Sequence, residues 1–131
     1  MKGVAFYFFF TGVIAVTLGM VWGIQMSAAQ DFTMGPAHAH LNLVGWVTFG
    51  LFGVYYHLVP AAAEARLAWV HYGVALAGLV AMTGGLYVYF RGGTDAFVVV
   101  GSILSAMSML IFLVTVWRHA RLRAPLASAP G

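Results

Sequence analysis

Four apolar stretches of membrane-spanning length follow one another along the chain, separated by short polar segments. They cover residues 4–26, 37–59, 67–90 and 96–117. A hydrocarbon core of about 30 Å takes about 20 helical residues, so each stretch predicts one transmembrane helix. Because backbone groups in lipid must satisfy their own hydrogen bonds, unbroken runs of this length favour helices over barrel strands.

The connections between these stretches are short, which predicts an up-down-up-down bundle. Pro36 suits the first turn of the second helix, and Pro60 is expected to end it. Gly92-Gly93-Thr94 predicts the last turn, with Asp95 at the start of the fourth helix. The sequence therefore predicts an all-α integral membrane protein, with one four-helix domain over residues 1–119 and a flexible cytoplasmic tail over residues 120–131.

Composition and charge agree with a membrane location. The 131 residues are 63% hydrophobic, with six Lys and Arg and three Asp and Glu. A four-span topology puts five of the six basic residues on one side of the membrane and Arg91 on the other. The positive-inside rule then places both termini in the cytoplasm. We therefore expect a multi-pass protein of the inner cell membrane, and we expect no nucleic acid partner, since the basic residues flank the spans. The five basic residues on the cytoplasmic side are Lys2, Arg66, Arg118, Arg121 and Arg123.

The absent residue types exclude several kinds of site. The chain has no cysteine, which excludes disulfides, thiolate metal sites and covalent haem attachment. Its carboxylates, Asp31, Glu64 and Asp95, all lie in connections, which disfavours a proton pump with a buried carboxylate relay. Gly19 and Gly23 form a GxxxG pair, which is typical of close contact between membrane helices.

The strongest candidate for chemistry is His-Ala-His at positions 38–40, where the second helix begins. Ionisable residues in or beside a membrane span are costly and usually functional. At about 100° per residue, His38 and His40 lie on opposite faces, so each can ligate a different planar cofactor. Asn42 is expected to orient a ligating ring or a cofactor propionate, and Gly45 with Trp46 to leave room for a flat macrocycle. The alternative is a pair of interfacial imidazoles wetted by headgroup water.

The remaining histidines are expected near the cytoplasmic surface. His57 and His71 lie at adjacent ends of the second and third helices, where they could form an inner metal or quinone site. The alternative is a place in an aromatic belt with Tyr55, Tyr56 and Trp69. His119 is expected to contribute to the basic flank.

Methionines offer a second kind of ligand. Met20, Met26 and Met34 cluster near the outer end of the first helix and the loop after it. Thioethers bind copper(I), so a copper site from His38, His40, Met26 and Met34 is the alternative to haem. Packing accounts for these methionines equally well.

Residues 37–46, AHAHLNLVGW, resemble helices of subunit I in the haem-copper oxidase and nitric oxide reductase superfamily. In that family a histidine near the outer end of the second helix binds the low-spin haem, and a His-x-His in the tenth helix serves two haems. Subunit I has twelve helices in three arcs of four, and this chain has the size of one arc. The resemblance thus implies a homotrimer, with haem ligated by His38 or His40 of neighbouring chains.

The resemblance also has limits. The chain lacks an adjacent His-His pair, a matching histidine–tyrosine pair one turn apart, and an acidic residue within a span. Complete oxidase or nitric oxide reductase activity is therefore not expected from one chain. We expect a b-type haem protein for electron transfer with a respiratory partner, or for binding of O2 or NO. The alternatives are a non-haem copper-binding or assembly protein and a cofactor-free structural subunit of a respiratory complex.

Overall fold

A computed structural model describes residues 1–121, which form helices joined by short turns. The second long helix, α2, runs without interruption over residues 35–58. The other elements are α1 (Gly3–Ala29), a short α3 (Pro60–Ala63), α4 (Arg66–Phe90) and α5 (Ala96–Arg121). Within residues 1–121 the prediction of an all-helical fold is confirmed, and α1, α4 and α5 are each long and apolar enough to cross a membrane.

A proline, a glutamine in the left-handed conformation and a threonine hydroxyl set several helix boundaries. Pro36 lies in the first turn of α2, where its missing N–H has no intrahelical partner to lose. Gln30 ends α1 in the left-handed conformation at φ 51°, and its N–H bonds the carbonyls of Met26 and Ser27. Thr94 Oγ1 accepts the Ala96 N–H at 3.2 Å at the start of α5.

The second helix contains a long π-helical segment that the sequence pattern did not predict. Its three consecutive pieces are α-helical Gly35–His40, π-helical Leu41–Thr48 and α-helical Phe49–Leu58. Thr48 Oγ1 donates to the carbonyl of Leu43, five residues earlier, at 3.0 Å. π-Helical turns are rare, are usually a single turn, and are frequent at functional sites. This one begins directly after His40.

The bundle consists of two hairpins, α1 with α2 and α4 with α5, that pack side by side. Glycine allows the closest approaches. A Cβ at Gly101 would overlap the Met82 backbone of α4, and one at Gly53 would lie 2.9 Å from Phe9 N of α1. Small residues therefore allow these helices to approach closely.

The two ends of the bundle differ. At the Lys2 end, where α1 begins and α2 ends, an aromatic core joins all four long helices around Phe8. At the His38 end, α1 ends and α2 begins, and Arg91 follows α4. Thr11 Oγ1 lies 2.9 Å from Tyr72 Oη, which ties α1 to α4 at the Lys2 end. Beyond this contact the two helices separate and leave a groove.

Helix α5 extends through residues 120–121, the first two residues of the predicted tail. Differences of one or two residues are usual at helix ends. The rest of the predicted tail, residues 122–131, lies outside the described residues.

Candidate functional site

The backbone holds the His40 ring in one orientation. Nδ1 lies 2.8 Å from the Pro36 carbonyl oxygen, one turn earlier in α2. Because a carbonyl oxygen only accepts, Nδ1 carries the proton and donates it, and in the neutral ring Nε2 keeps its lone pair. Metal-ligating histidines characteristically donate their other N–H to a backbone carbonyl or carboxylate in this way. The partly buried His40 side chain thus has a tautomer in which Nε2 can ligate a metal.

The face of α2 that begins at His40 points away from the rest of the chain. Leu43, one turn after His40, is 62% exposed, and the exposed apolar face continues to the end of α2. A group bound to His40 Nε2 would therefore lie on the outside of this four-helix unit, against lipid or a second copy. The other exposed residues of this face are Val47, Leu51, Val54 and Leu58.

His38 leaves α2 on a different side and packs against α1. A Cβ at Gly23 would lie 3.0 Å from His38 Cε1, and one at Gly19 would lie 2.7 Å from Asn42 Cγ. Asn42 Nδ2 donates to the His38 carbonyl at 2.9 Å and lies 3.4 and 3.3 Å from the two ring nitrogens. The GxxxG pair therefore makes room for two polar side chains, and the Asn42 amide contacts His38 rather than His40.

Gly45 and Trp46 also face α1. A Cβ at Gly45 would lie 2.7 Å from Ala15 Cβ and 3.3 Å from the methyl groups of Leu79. The Trp46 ring meets Phe9 edge-on at 5.8 Å between centroids. The sequence predicted an open face beside these two residues, but α1 and α4 fill it within the chain. Helix packing accounts for Gly45, and a role beside a cofactor stays a prediction.

A buried hydrogen-bonded group that the sequence analysis missed links three helices near the Lys2 end. His71 of α4 is fully buried, with Tyr56 Oη 3.0 Å from its Nδ1 and Ser108 Oγ 3.0 Å from its Nε2. Phe8, Phe52 and Phe112 surround the ring. Nothing local in the sequence shows that Ser108 meets a histidine 37 positions earlier.

The predicted inner site from His57 and His71 is not assembled as a pair of neighbouring imidazoles. His57 is exposed, whereas both ring nitrogens of His71 have partners in the core. His57 leaves α2 about 100° away from Tyr56, which contacts His71. At the end of α5, His119 Nδ1 donates to the Thr115 carbonyl at 2.8 Å.

At the His38 end, Met26, Met34 and Asp31 line one polar cavity of about 180 Å³. Asp31 Oδ1 accepts hydrogen bonds from the Thr33 N–H at 3.0 Å and from the Thr33 hydroxyl at 2.6 Å. These bonds hold the pKa of Asp31 below its usual range. Within residues 1–121, His, Asp and Glu nowhere form a group of three that could hold a metal ion.

Comparisons with protein-family models, curated proteins and solved structures found no match to this chain. The resemblance to oxidase subunit I therefore depends on residues 37–46 alone and stays a prediction.

Proposed function

We propose that this chain is a membrane haem-binding protein in which His40 Nε2 ligates the iron. The observation that carries the proposal is the bond from His40 Nδ1 to the Pro36 carbonyl, which fixes the ligating tautomer. The haem would be b-type, because the chain has no cysteine for covalent attachment. Haem supplies one-electron transfer when both axial positions are filled and gas binding when one is open.

Each chain offers one imidazole to a haem on the outer face of α2. His38 packs against Gly23 on α1, so it is not the second ligand of a haem held by His40. A second axial ligand would come from a neighbouring copy, as in the homotrimer that the family resemblance implies. Paired ligation supports electron transfer with a respiratory partner, whereas single ligation supports binding of O2 or NO.

The membrane placement belongs to the same proposal. α2 is a fourth span, because residues 35–58 form one continuous apolar helical run long enough for a hydrocarbon core of about 30 Å. Lys2 and Arg66 then lie at the cytoplasmic side, and Arg91 at the outer face of the inner membrane. Phe32→Cys and Glu64→Cys lie at exposed positions on either side of α2 and test this without background labelling, since the chain has no cysteine of its own.

A membrane-impermeant thiol reagent added to intact cells should label the Phe32→Cys variant and spare the Glu64→Cys variant. The opposite pattern would reverse the topology. Labelling of both from outside would remove one span from the proposal.

Haem ligation is tested by reconstituting the purified protein with hemin and recording its absorption spectrum. His40→Ala should lose the Soret band and the reduced α and β bands. His57→Ala is the matched control, because His57 is exposed on the same helix at the other end. His38→Ala should keep the Soret band. Wild-type haem content in His40→Ala would refute the proposal.

The spectrum also separates the roles and the alternatives. A low-spin six-coordinate spectrum together with a trimer in native mass spectrometry supports electron transfer. A high-spin spectrum that shifts on addition of CO or NO supports gas binding. Stoichiometric copper with a featureless visible spectrum would replace haem with the copper alternative, and neither signal would leave a cofactor-free structural subunit.

A further inference from the structure

The groove between α1 and α4 has the dimensions and lining of a site for a hydrocarbon chain. Its volume is about 620 Å³, and its α1 wall extends from Thr11 to Gln25. The 14 helical steps from Thr11 to Gln25 correspond to about 21 Å of helix. The hydrocarbon region of one leaflet is about 15 Å thick, so the groove is longer than one leaflet is deep. Leu41 of α2 forms part of the lining, and the groove contains no histidine. A long apolar chain therefore fits here, whereas a haem would find no imidazole.

At the His38 end the groove continues into the polar cavity of about 180 Å³, because Trp22 and Gln25 line both. This cavity holds one charge of each sign, the carboxylate of Asp31 and the guanidinium of Arg91. The guanidinium lies 5.1 Å above the Tyr87 ring, and the Tyr87 ring lies 6.3 Å from Trp22. Tryptophan and tyrosine are typical of the membrane–water interface, where lipid headgroups lie.

We infer that the groove and the polar cavity together bind one glycerophospholipid whose headgroup carries both a phosphate and a primary ammonium group. An acyl chain would lie between α1 and α4. The phosphate would pair with Arg91 and the ammonium group with Asp31. Charge complementarity selects this occupant. Arg91 and Asp31 attract each other, so a phosphate that pairs with Arg91 competes with the Asp31 carboxylate unless the headgroup also brings an ammonium group.

The bonds around Asp31 agree with this assignment. Thr33 donates both of its hydrogen bonds to Oδ1, and a carboxylate has acceptor capacity beyond two bonds. A primary ammonium group donates hydrogen bonds, whereas a trimethylated ammonium group cannot. The site should therefore distinguish phosphatidylethanolamine from phosphatidylcholine, which carry the same formal charges.

Lipid retention measured by native mass spectrometry tests the inference on the full-length chain. The protein is purified in detergent and mixed with equimolar phosphatidylethanolamine, phosphatidylcholine and phosphatidylglycerol that share the same acyl chains. The wild type should retain one phosphatidylethanolamine with a preference of about fivefold over phosphatidylcholine, the usual size of one partly exposed charge-assisted hydrogen bond. Asp31→Asn should lose that preference, and Arg91→Gln should weaken retention of both zwitterionic lipids.

Gly84→Leu tests the hydrocarbon part of the site separately. Gly84 lines the groove, and a Cβ built there meets nothing within 4 Å, so the larger side chain should enter the groove without disturbing the fold. Gly73→Leu is the matched control, since a Cβ at Gly73 also meets nothing within 4 Å and Gly73 is not part of the groove lining. Gly84→Leu should retain several-fold less of every lipid than Gly73→Leu, with both variants helical by circular dichroism.

Three results would overturn the inference. Equal retention of the three lipids by the wild type would indicate ordinary boundary lipid. Preference for phosphatidylglycerol would assign the cavity to Arg91 alone. Equal lipid retention by Gly84→Leu and Gly73→Leu would show that the groove holds no acyl chain. A haem spectrum lost in His40→Ala is independent of all three results.

Discussion

Replacement of His71 by leucine should reveal how much the buried hydrogen-bonded group stabilises the bundle. Leucine fills a similar volume between Phe52 and Phe112 but provides no hydrogen-bond partner for Tyr56 or Ser108. A buried polar group left unpaired costs about 1–3 kcal/mol, whereas hydrogen bonds between membrane helices average about 0.6 kcal/mol each.

Two features of the structure place the expected cost of His71→Leu at the low end. Tyr56 lies beside the Thr115 hydroxyl, which is within its reach as a second partner. Ser108 lies within a helix, where its hydroxyl can turn to a carbonyl of the preceding turn. We therefore expect His71→Leu to lower the free energy of unfolding by about 1–2 kcal/mol. His71→Ala should cost more, about 2–5 kcal/mol, because it also leaves a cavity among the surrounding rings.

The decisive variant removes all three polar groups together. Replacing both partners of a hydrogen bond by apolar groups of the same shape can be nearly neutral. The triple variant His71→Leu, Tyr56→Phe, Ser108→Ala should therefore be more stable than His71→Leu alone. The assay is reversible unfolding in mixed micelles with increasing denaturing detergent, followed by circular dichroism. If the triple variant loses the sum of the three single effects, the side chains do not act as one group and the reasoning fails.

The remaining predictions concern a helix crossing and the loop between α1 and α2. Gly101→Ala should destabilise the protein by about 1–3 kcal/mol, because its Cβ would overlap the Met82 backbone. Gly73→Ala, in open space, should be neutral or stabilising by up to about 1 kcal/mol in the same unfolding assay. Thr33→Val removes one bond that lowers the pKa of Asp31, so the pKa should rise towards its usual value in a carboxyl NMR titration. Because folding lowers this pKa, its stabilisation is complete above about pH 4 and is lost as the pH falls through the folded-state pKa. An unchanged titration midpoint would contradict the assigned cause.

Sequence patterns could predict the long helices because their signals are local. Run length decides that an apolar stretch is helical in lipid, and Pro36, Pro60 and the Gly92-Gly93 turn mark boundaries that depend on few neighbours. The bounds of α4 and the start of α5 agree with the predicted stretches to within one residue. The π segment was missed because apolar composition does not distinguish hydrogen bonds to the fifth residue from bonds to the fourth.

Sequence spacing could predict the contacts of the candidate site that lie within one helix, but not its contacts between helices. The carbonyl that orients His40 lies four residues earlier in the same helix, so spacing alone brings the two together. Gly19 and Gly23 were expected to contact a helix, but which side chains they receive depends on how α1 and α2 cross. The surroundings of His71 come from α1, α2 and α5, and neither the histidine nor its neighbours in sequence indicate that combination.

The π segment sets the direction of both imidazoles relative to the anchored half of α2. Segment Leu41–Thr48 separates Gly35–His40, which carries His38 and His40, from the half of α2 that is anchored in the aromatic core. In an α-helix each residue contributes about 100° of rotation. A one-residue change in the hydrogen-bonding register of this segment would therefore swing both rings around the helix axis by roughly a quarter turn, while Phe49 and Phe52 keep their places. The hydrogen-bonding register of Leu41–Thr48 therefore decides which neighbours His38 and His40 meet.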